Sequence, residues 1–94
     1  MEMSKVDIKI PCDIIGRNAH RLVYKLQEFK SSVYFMTEYR RINAKSLLGL
    51  LSANIKAGDI VQVICYNDNY HIAIDDLDDI ITIVTRLAVM DDED

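Results

Sequence analysis

Asn43-Ala44-Lys45-Ser46-Leu47-Leu48-Gly49-Leu50-Leu51-Ser52-Ala53-Asn54 is a short helix written with its own start and stop. Ser46 stands where an N-cap belongs, and Asn54 tolerates the left-handed conformation that ends a helix. The leucines at 47, 48, 50 and 51 fan over roughly 160° of a helix that turns about 100° per residue. A two-turn helix on a small domain covers only part of such an arc. Leu50 is expected to face the core, which leaves Leu47, Leu48 and Leu51 to include at least two exposed side chains, a docking patch. Periodicity alone gives equal weight to a loosely covered helix with all four in the core.

Outward from this stretch the chain alternates between two periods. Val6-Asp7-Ile8-Lys9-Ile10 alternates apolar and polar as a half-buried strand does, and Pro11 ends it. From Gly16 or Arg17 to about Phe29 the pattern is helical. Ala19, Leu22, Val23 and Leu26 lie inward, and Arg17, His20, Arg21, Tyr24 and Gln27 outward. Residues 32–38 and 39–43 predict a hairpin that turns near Glu38–Arg40 without an Asn-Gly signal. After the Ser46 helix, Ile60–Tyr66 is β-branched enough for a central strand. Asn67-Asp68-Asn69 turns into a last helix over about 70–88. Its inner face is predicted as Ala73, Ile74, Leu77, Ile80, Ile81, Val84 and Leu87. The order β-α-β-β-α-β-α is satisfied by an α+β open-faced sandwich, a four-stranded antiparallel sheet with three helices on one face.

Ninety-four residues, half of them apolar, suffice for one domain, residues 1–94, with one modest core. No apolar run approaches the roughly 20 residues of a membrane helix, and Met1–Lys5 lacks a signal-peptide layout, so a cytoplasmic protein is expected. The net charge of −4 hides an asymmetry: residues 1–57 hold ten Lys or Arg and five acids, residues 58–94 one and ten. Asp75, Asp76, Asp78 and Asp79 read as a solvated helix face, and residues 88–94 as an acidic, frayed tail. Cys12, Cys65, His20 and His71 match no zinc spacing and read as two thiols and two unrelated histidines, so no metal or cofactor is expected.

The stretch around Ser46 resembles the regulatory serine region of HPr, the small phosphocarrier of the sugar phosphotransferase system, where Lys-Ser precedes two bulky apolar residues and a glycine. The resemblance continues through Ile55-Lys56-Ala57-Gly58-Asp59-Ile60 and runs without a gap from about residue 6 to about residue 86. It implies the open-faced sandwich derived above. HPr proteins carry a phosphohistidine in a Gly-x-His-Ala-Arg-Pro-Ala pattern at the start of their first helix. Here Arg17 and Ala19 match that pattern, whereas Ile15 holds the histidine position, Asn18 the proline position and Asp13 the first glycine position. An isoleucine side chain accepts no phosphoryl group. His20 lies more than a turn further into the helix, away from the N-terminus that steadies a phosphate.

The serine motif is intact. In the family this serine is the target of a dedicated kinase, and its phosphorylated form docks on a transcriptional regulator. Paralogues of the Crh type keep the serine, lack the histidine and act in regulation. The resemblance thus implies a non-catalytic regulatory protein with Ser46 as phosphorylation site. Lys45 and Arg17, expected close by, would steady the added anion. Ser46 as a simple N-cap is an equal reading, with about 1 kcal/mol of helix stability at stake. The partner surface the family implies falls on Gly16, Arg17, His20, Tyr24, Leu47, Leu48 and Leu51, residue types suited to an interface. The partners implied are proteins, a serine kinase and a transcriptional regulator among them, with a homo-oligomer left open and no membrane. Nucleic-acid binding through Arg17, Arg21, Lys25 and Tyr24 is the other class; the sequence pI near 5.0 argues against it.

Overall fold

The computed structural model describes residues 2–90. The elements run β1 (Glu2–Lys9), α1 (Gly16–Leu26), β2 (Ser32–Met36), β3 (Arg41–Asn43), α2 (Leu47–Ala53), β4 (Ile60–Asn67), α3 (Tyr70–Thr85) and α4 (Leu87–Met90). The strands form one antiparallel sheet in the order β1-β4-β2-β3. Register explains the core. Val6 faces Val63, Ile8 faces Val61, Val33 faces Cys65, and Phe35 lies between Val63 and Ile42. These same-face residues meet Leu22 and Leu26 of α1, Leu50 of α2, and Leu77, Ile80 and Val84 of α3.

On the other face of the sheet, Tyr34 and Tyr66 meet edge to face at 5.7 Å. The Arg41 guanidinium lies 3.8 Å above the Tyr34 ring centre. This cover helps leave Ile64 only 4% exposed although it points away from the helices.

Most differences from the sequence reading are at element ends. β1 starts at Glu2, four residues earlier than the apolar alternation indicates, because β4 extends to Asn67 and offers it a partner. α1 closes at Leu26 rather than Phe29. The chain still winds to Phe29, but through i→i−3 bonds from Glu28 and Phe29 to the carbonyls of Lys25 and Leu26. The hairpin turn spans Thr37–Arg40, where the Thr37 hydroxyl accepts from the Tyr39 and Arg40 N–H groups and removes both residues from β3.

The last helix is not continuous to residue 88. It stops at Thr85 and resumes as α4 from Leu87. Thr82 and Thr85 hydroxyls donate back to the Asp78 and Ile81 carbonyls, a contact that bends helices. Residues 88–90, expected in the frayed tail, therefore belong to a helical turn; residues 91–94 lie outside the described ones.

Side-chain placement also departs from the reading at three positions. Ile74, expected inward, is 39% exposed. The buried stripe centres on Ala73, Leu77, Ile80 and Val84, which leaves Ile74 roughly 90° off centre. Asp76 is not on the solvated face. It is half-buried, and its carboxylate accepts from the Ser31 hydroxyl at 2.7 Å and the Ser31 N–H at 3.2 Å. Arg21, expected outward, is half-buried.

Candidate functional site

The serine region folds as its residues dictate. Asn43 makes a side-chain turn, its Oδ1 accepting from the Lys45 N–H at 2.9 Å. That turn delivers Ser46 in extended conformation as the N-cap of α2, with its Oγ accepting from the Gly49 N–H at 3.1 Å. At the other end Asn54 adopts the left-handed conformation, φ 54° and ψ 47°. Gly49 is a close-approach position: a Cβ there would meet the Ser46 Oγ at 3.3 Å and Ile42 at 3.4 Å. α2 therefore sits tightly over β3 with Leu50 wholly buried, which turns Leu48 and Leu51 to solvent at 78% and 40% exposure and leaves Leu47 half-buried.

α1 and α2 pack against each other, and two hydrogen bonds at their ends set them antiparallel. Just ahead of α1, the Ile14 N–H donates to the Ile55 carbonyl beyond the end of α2. Beyond the other end of α1, the Gln27 amide donates to the Lys45 carbonyl ahead of α2. Lys45 is further occupied by its own ammonium, which donates to the Phe29 carbonyl at 2.6 Å. Arg17 and Ser46 consequently stand at opposite ends of the helix pair. Arg17 thus does not lie beside Ser46, contrary to expectation. The two were placed together by sequence motif alone, while the antiparallel packing of α1 on α2 separates them by most of the length of α1, about 15 Å for ten helical residues. Lys45 is the cation next to the serine. Arg17 lies instead level with the last turn of α2.

The exposed surface of the pair carries Arg17, His20 and Tyr24 from α1 and Leu48 and Leu51 from α2, with Gly16 exposed at the α1 start. Tyr24 is 76% exposed. Of the basic set considered for nucleic acid, Arg17 is exposed, and Arg21 and Lys25 are half-buried. That placement breaks up the stripe a phosphate backbone would follow.

The sequence reading missed the structural roles of two groups of residues. Ile15 is the N-cap of α1, makes no side-chain cap hydrogen bond, and is 51% exposed. Isoleucine is among the poorest N-cap residues. An apolar side chain where Ser, Thr, Asp or Asn is expected was the available signal, and it adds an exposed apolar residue at the start of α1. The second group is Ser31, Asp76, Asn67 and Cys65. Ser31 is fully buried, and its hydroxyl also accepts from the Asn67 amide at 3.2 Å. Burial, with the Asp76 charge added, pushes the neighbouring Cys65 thiol up from 9.0 to about 12, against a smaller opposing pull from Lys45. A thiol so held is neutral and unreactive at neutral pH. Among the described residues no three His, Cys, Asp or Glu side chains converge as a metal site.

The loop before α1 is tied down by its own polar groups. The Asn18 amide donates to the Asp13 carbonyl at 3.1 Å, and the Asp13 carboxylate accepts from the Ala57 N–H at 2.9 Å. No described helix is long and apolar enough to cross a membrane.

Known proteins fit this arrangement. The model of the HPr component of the phosphotransferase system, phosphorylation-site family, matches residues 3–82. The HPr-like protein Crh of Bacillus subtilis (strain 168) is 27% identical over 77 residues, covering 82% of this chain and 91% of Crh. A Crh of Halalkalibacterium halodurans is 28% identical over 64 residues, 68% of this chain and 76% of that one. Among solved structures, HPr from Bacillus anthracis superposes with a TM-score of 0.79 over 89% of this chain and 99% of that one, at 19% identity. Crystalline Bacillus subtilis Crh, a domain-swapped, intertwined dimer, reaches 0.68 over 93% and 97% at 24% identity. The open-faced sandwich, the serine-capped α2 and a family match over most of the length lead to one assignment: the chain belongs to the HPr family of phosphotransferase-system proteins.

Proposed function

We propose that this HPr-family chain is a non-catalytic regulatory protein of the cytoplasm that works by binding other proteins and does not relay phosphoryl groups. The observation that carries the reading is Ile15, half-exposed at the cap of α1 in the position of the family's phosphohistidine. It offers no nucleophile. The Asp13 carboxylate nearby further disfavours an incoming anion. Its similarity to Crh, an HPr-like catabolite repression protein of Bacillus subtilis, supports the same reading.

Regulation enters at Ser46. A phosphate on its Oγ would sit at the N-terminus of α2 with Lys45 adjacent, where N–H groups and a cation favour it. A cognate serine kinase and a transcriptional regulator are the partners of this form. The regulator binds across Gly16, Arg17, His20 and Tyr24 of α1 and Leu47, Leu48 and Leu51 of α2. Arg17, remote from the phosphate, serves as a direct contact to the partner.

One experiment tests both halves. Incubation of the intact protein with phosphoenolpyruvate and Enzyme I is expected to leave its mass unchanged, whereas a cognate serine kinase with ATP adds one phosphate that maps to Ser46. Acid-labile phosphohistidine after the first incubation overturns the non-carrier reading. A phosphate on Ser4, Ser31, Ser32 or Ser52 after the second overturns the regulatory site.

A further inference from the structure

Among the described residues the helices pack on one face of the sheet and leave the other to solvent. Register sets the pattern of that open face. Tyr34 of β2 and Tyr66 of β4 stand on the two central strands, with Ile64 between them and β1. Lys5 and Lys9 stand on one edge strand, β1, and Arg41 on the other, β3. All three cations are exposed, and Asp7 is the one carboxylate that the described strands turn to this side. The exposed Asp75, Asp78 and Asp79 belong to α3, on the helical side. A sequence pI near 5.0 sums the whole surface and so does not describe this face.

The centre of the face is built of planes. The Arg41 guanidinium lies 3.8 Å over the Tyr34 ring and 5.4 Å from the centre of Tyr66, which holds its orientation and leaves its N–H fork for an anion. Ile64 beside this cluster is only 4% exposed, so the centre offers no aliphatic pocket of the kind that anchors a protein partner. Two phenol rings and a guanidinium in the middle, with cations on both edges, match a ligand of flat groups joined by anions. We infer that the open face binds single-stranded nucleic acid. Bases stack on Tyr66 and on the outer plane of the Arg41 guanidinium, and Lys5, Lys9 and the Arg41 fork draw the phosphates. The bases must be unpaired to reach the platform, and ring stacking is tolerant of sequence. The basic residues of α1 take no part. The surface proposed above for other proteins lies on the helical side, so both can be engaged at once.

Fluorescence anisotropy of a short fluorescein-labelled oligouridylate, titrated with the full chain, tests this. Log affinity is expected to fall with log salt at a slope of about −2, about −0.7 for each of Lys5, Lys9 and Arg41. Tyr66→Leu keeps an apolar cover on Ile64 and removes the ring; it is expected to weaken binding at least about fivefold. Arg41→Lys, which keeps the charge and loses the plane, is expected to weaken it as well. Arg86→Ala removes an exposed cation at the C-cap of α3 and is expected to leave the affinity unchanged. Amide chemical shifts of the unaltered protein give a reading independent of how the variants fold: the oligonucleotide moves Tyr34, Arg41, Ile64 and Tyr66. No binding at low salt overturns the inference, as do shifts confined to α1 and α2. Equal losses for Arg86→Ala and Tyr66→Leu overturn it in favour of unspecific attraction. A polyglutamate peptide that displaces the probe as well as unlabelled oligouridylate does overturns it in favour of an acidic protein segment.

Discussion

Ile15 shows how a residue that is wrong for its local structure can be right for its surface. The N-cap of α1 is best filled by a side chain that accepts from the first-turn N–H groups, and the isoleucine side chain supplies no acceptor. Ile15→Ser is therefore expected to stabilise the protein by about 0.5–1 kcal/mol, read from the urea midpoint, while reducing capture of the protein partner. A loss of stability would mean that the half-exposed side chain packs more than it docks. Ser46 presents the converse case. It is a good cap, its hydroxyl already holds the Gly49 N–H, and phosphorylation would use the same free N–H groups. At this scale cap and regulatory site are the same geometry, which is why the sequence supports both readings.

At the scale of elements, α2 decides the surface. Its seven residues are too few to be helical alone, so it forms because Leu50 is buried and Ser46 and Asn54 close its ends. Leu48 lies roughly 160° from Leu50 and so faces away from the core. Leu48→Gln is expected to leave the thermal midpoint nearly unchanged and to abolish partner binding in a pull-down. Leu50→Ala, at a position with no exposure, is expected to cost about 2–5 kcal/mol in denaturant unfolding. Similar losses for both would place Leu48 in the core and remove the patch. α1 contributes through its orientation. Antiparallel to α2, it sets Arg17 and Ser46 at opposite ends of the helix pair.

The whole molecule is closed by contacts between parts far apart in the chain. Ser31, just before β2, is joined to Asp76 of α3 across 45 residues, with Asn67 at the end of β4 completing the cluster. The clasp ties the α1–β2 connection to both α3 and the strand β4. Asp76→Ala removes the acceptor from a fully buried hydroxyl, and the expected cost is about 1–3 kcal/mol, measured by urea unfolding. An unchanged midpoint would show that water replaces the carboxylate without loss.

Much of this was set by the sequence on its own, and the reason is range. Caps, turns and the two hydrophobic periods are relations among residues a few positions apart. Ser46 and Asn54, the inward Leu50, the element order and the antiparallel sheet were therefore legible from the chain. Tertiary packing decided the rest. It turned Ile74 out and drew Asp76 in, because a helix stripe is centred by what it packs against. It placed Arg17 far from Ser46, because the relative direction of two helices depends on contacts such as Gln27 with Lys45 that no local pattern encodes. It placed β1 at one edge of the sheet among the described residues, because strand order is a property of the assembled sheet.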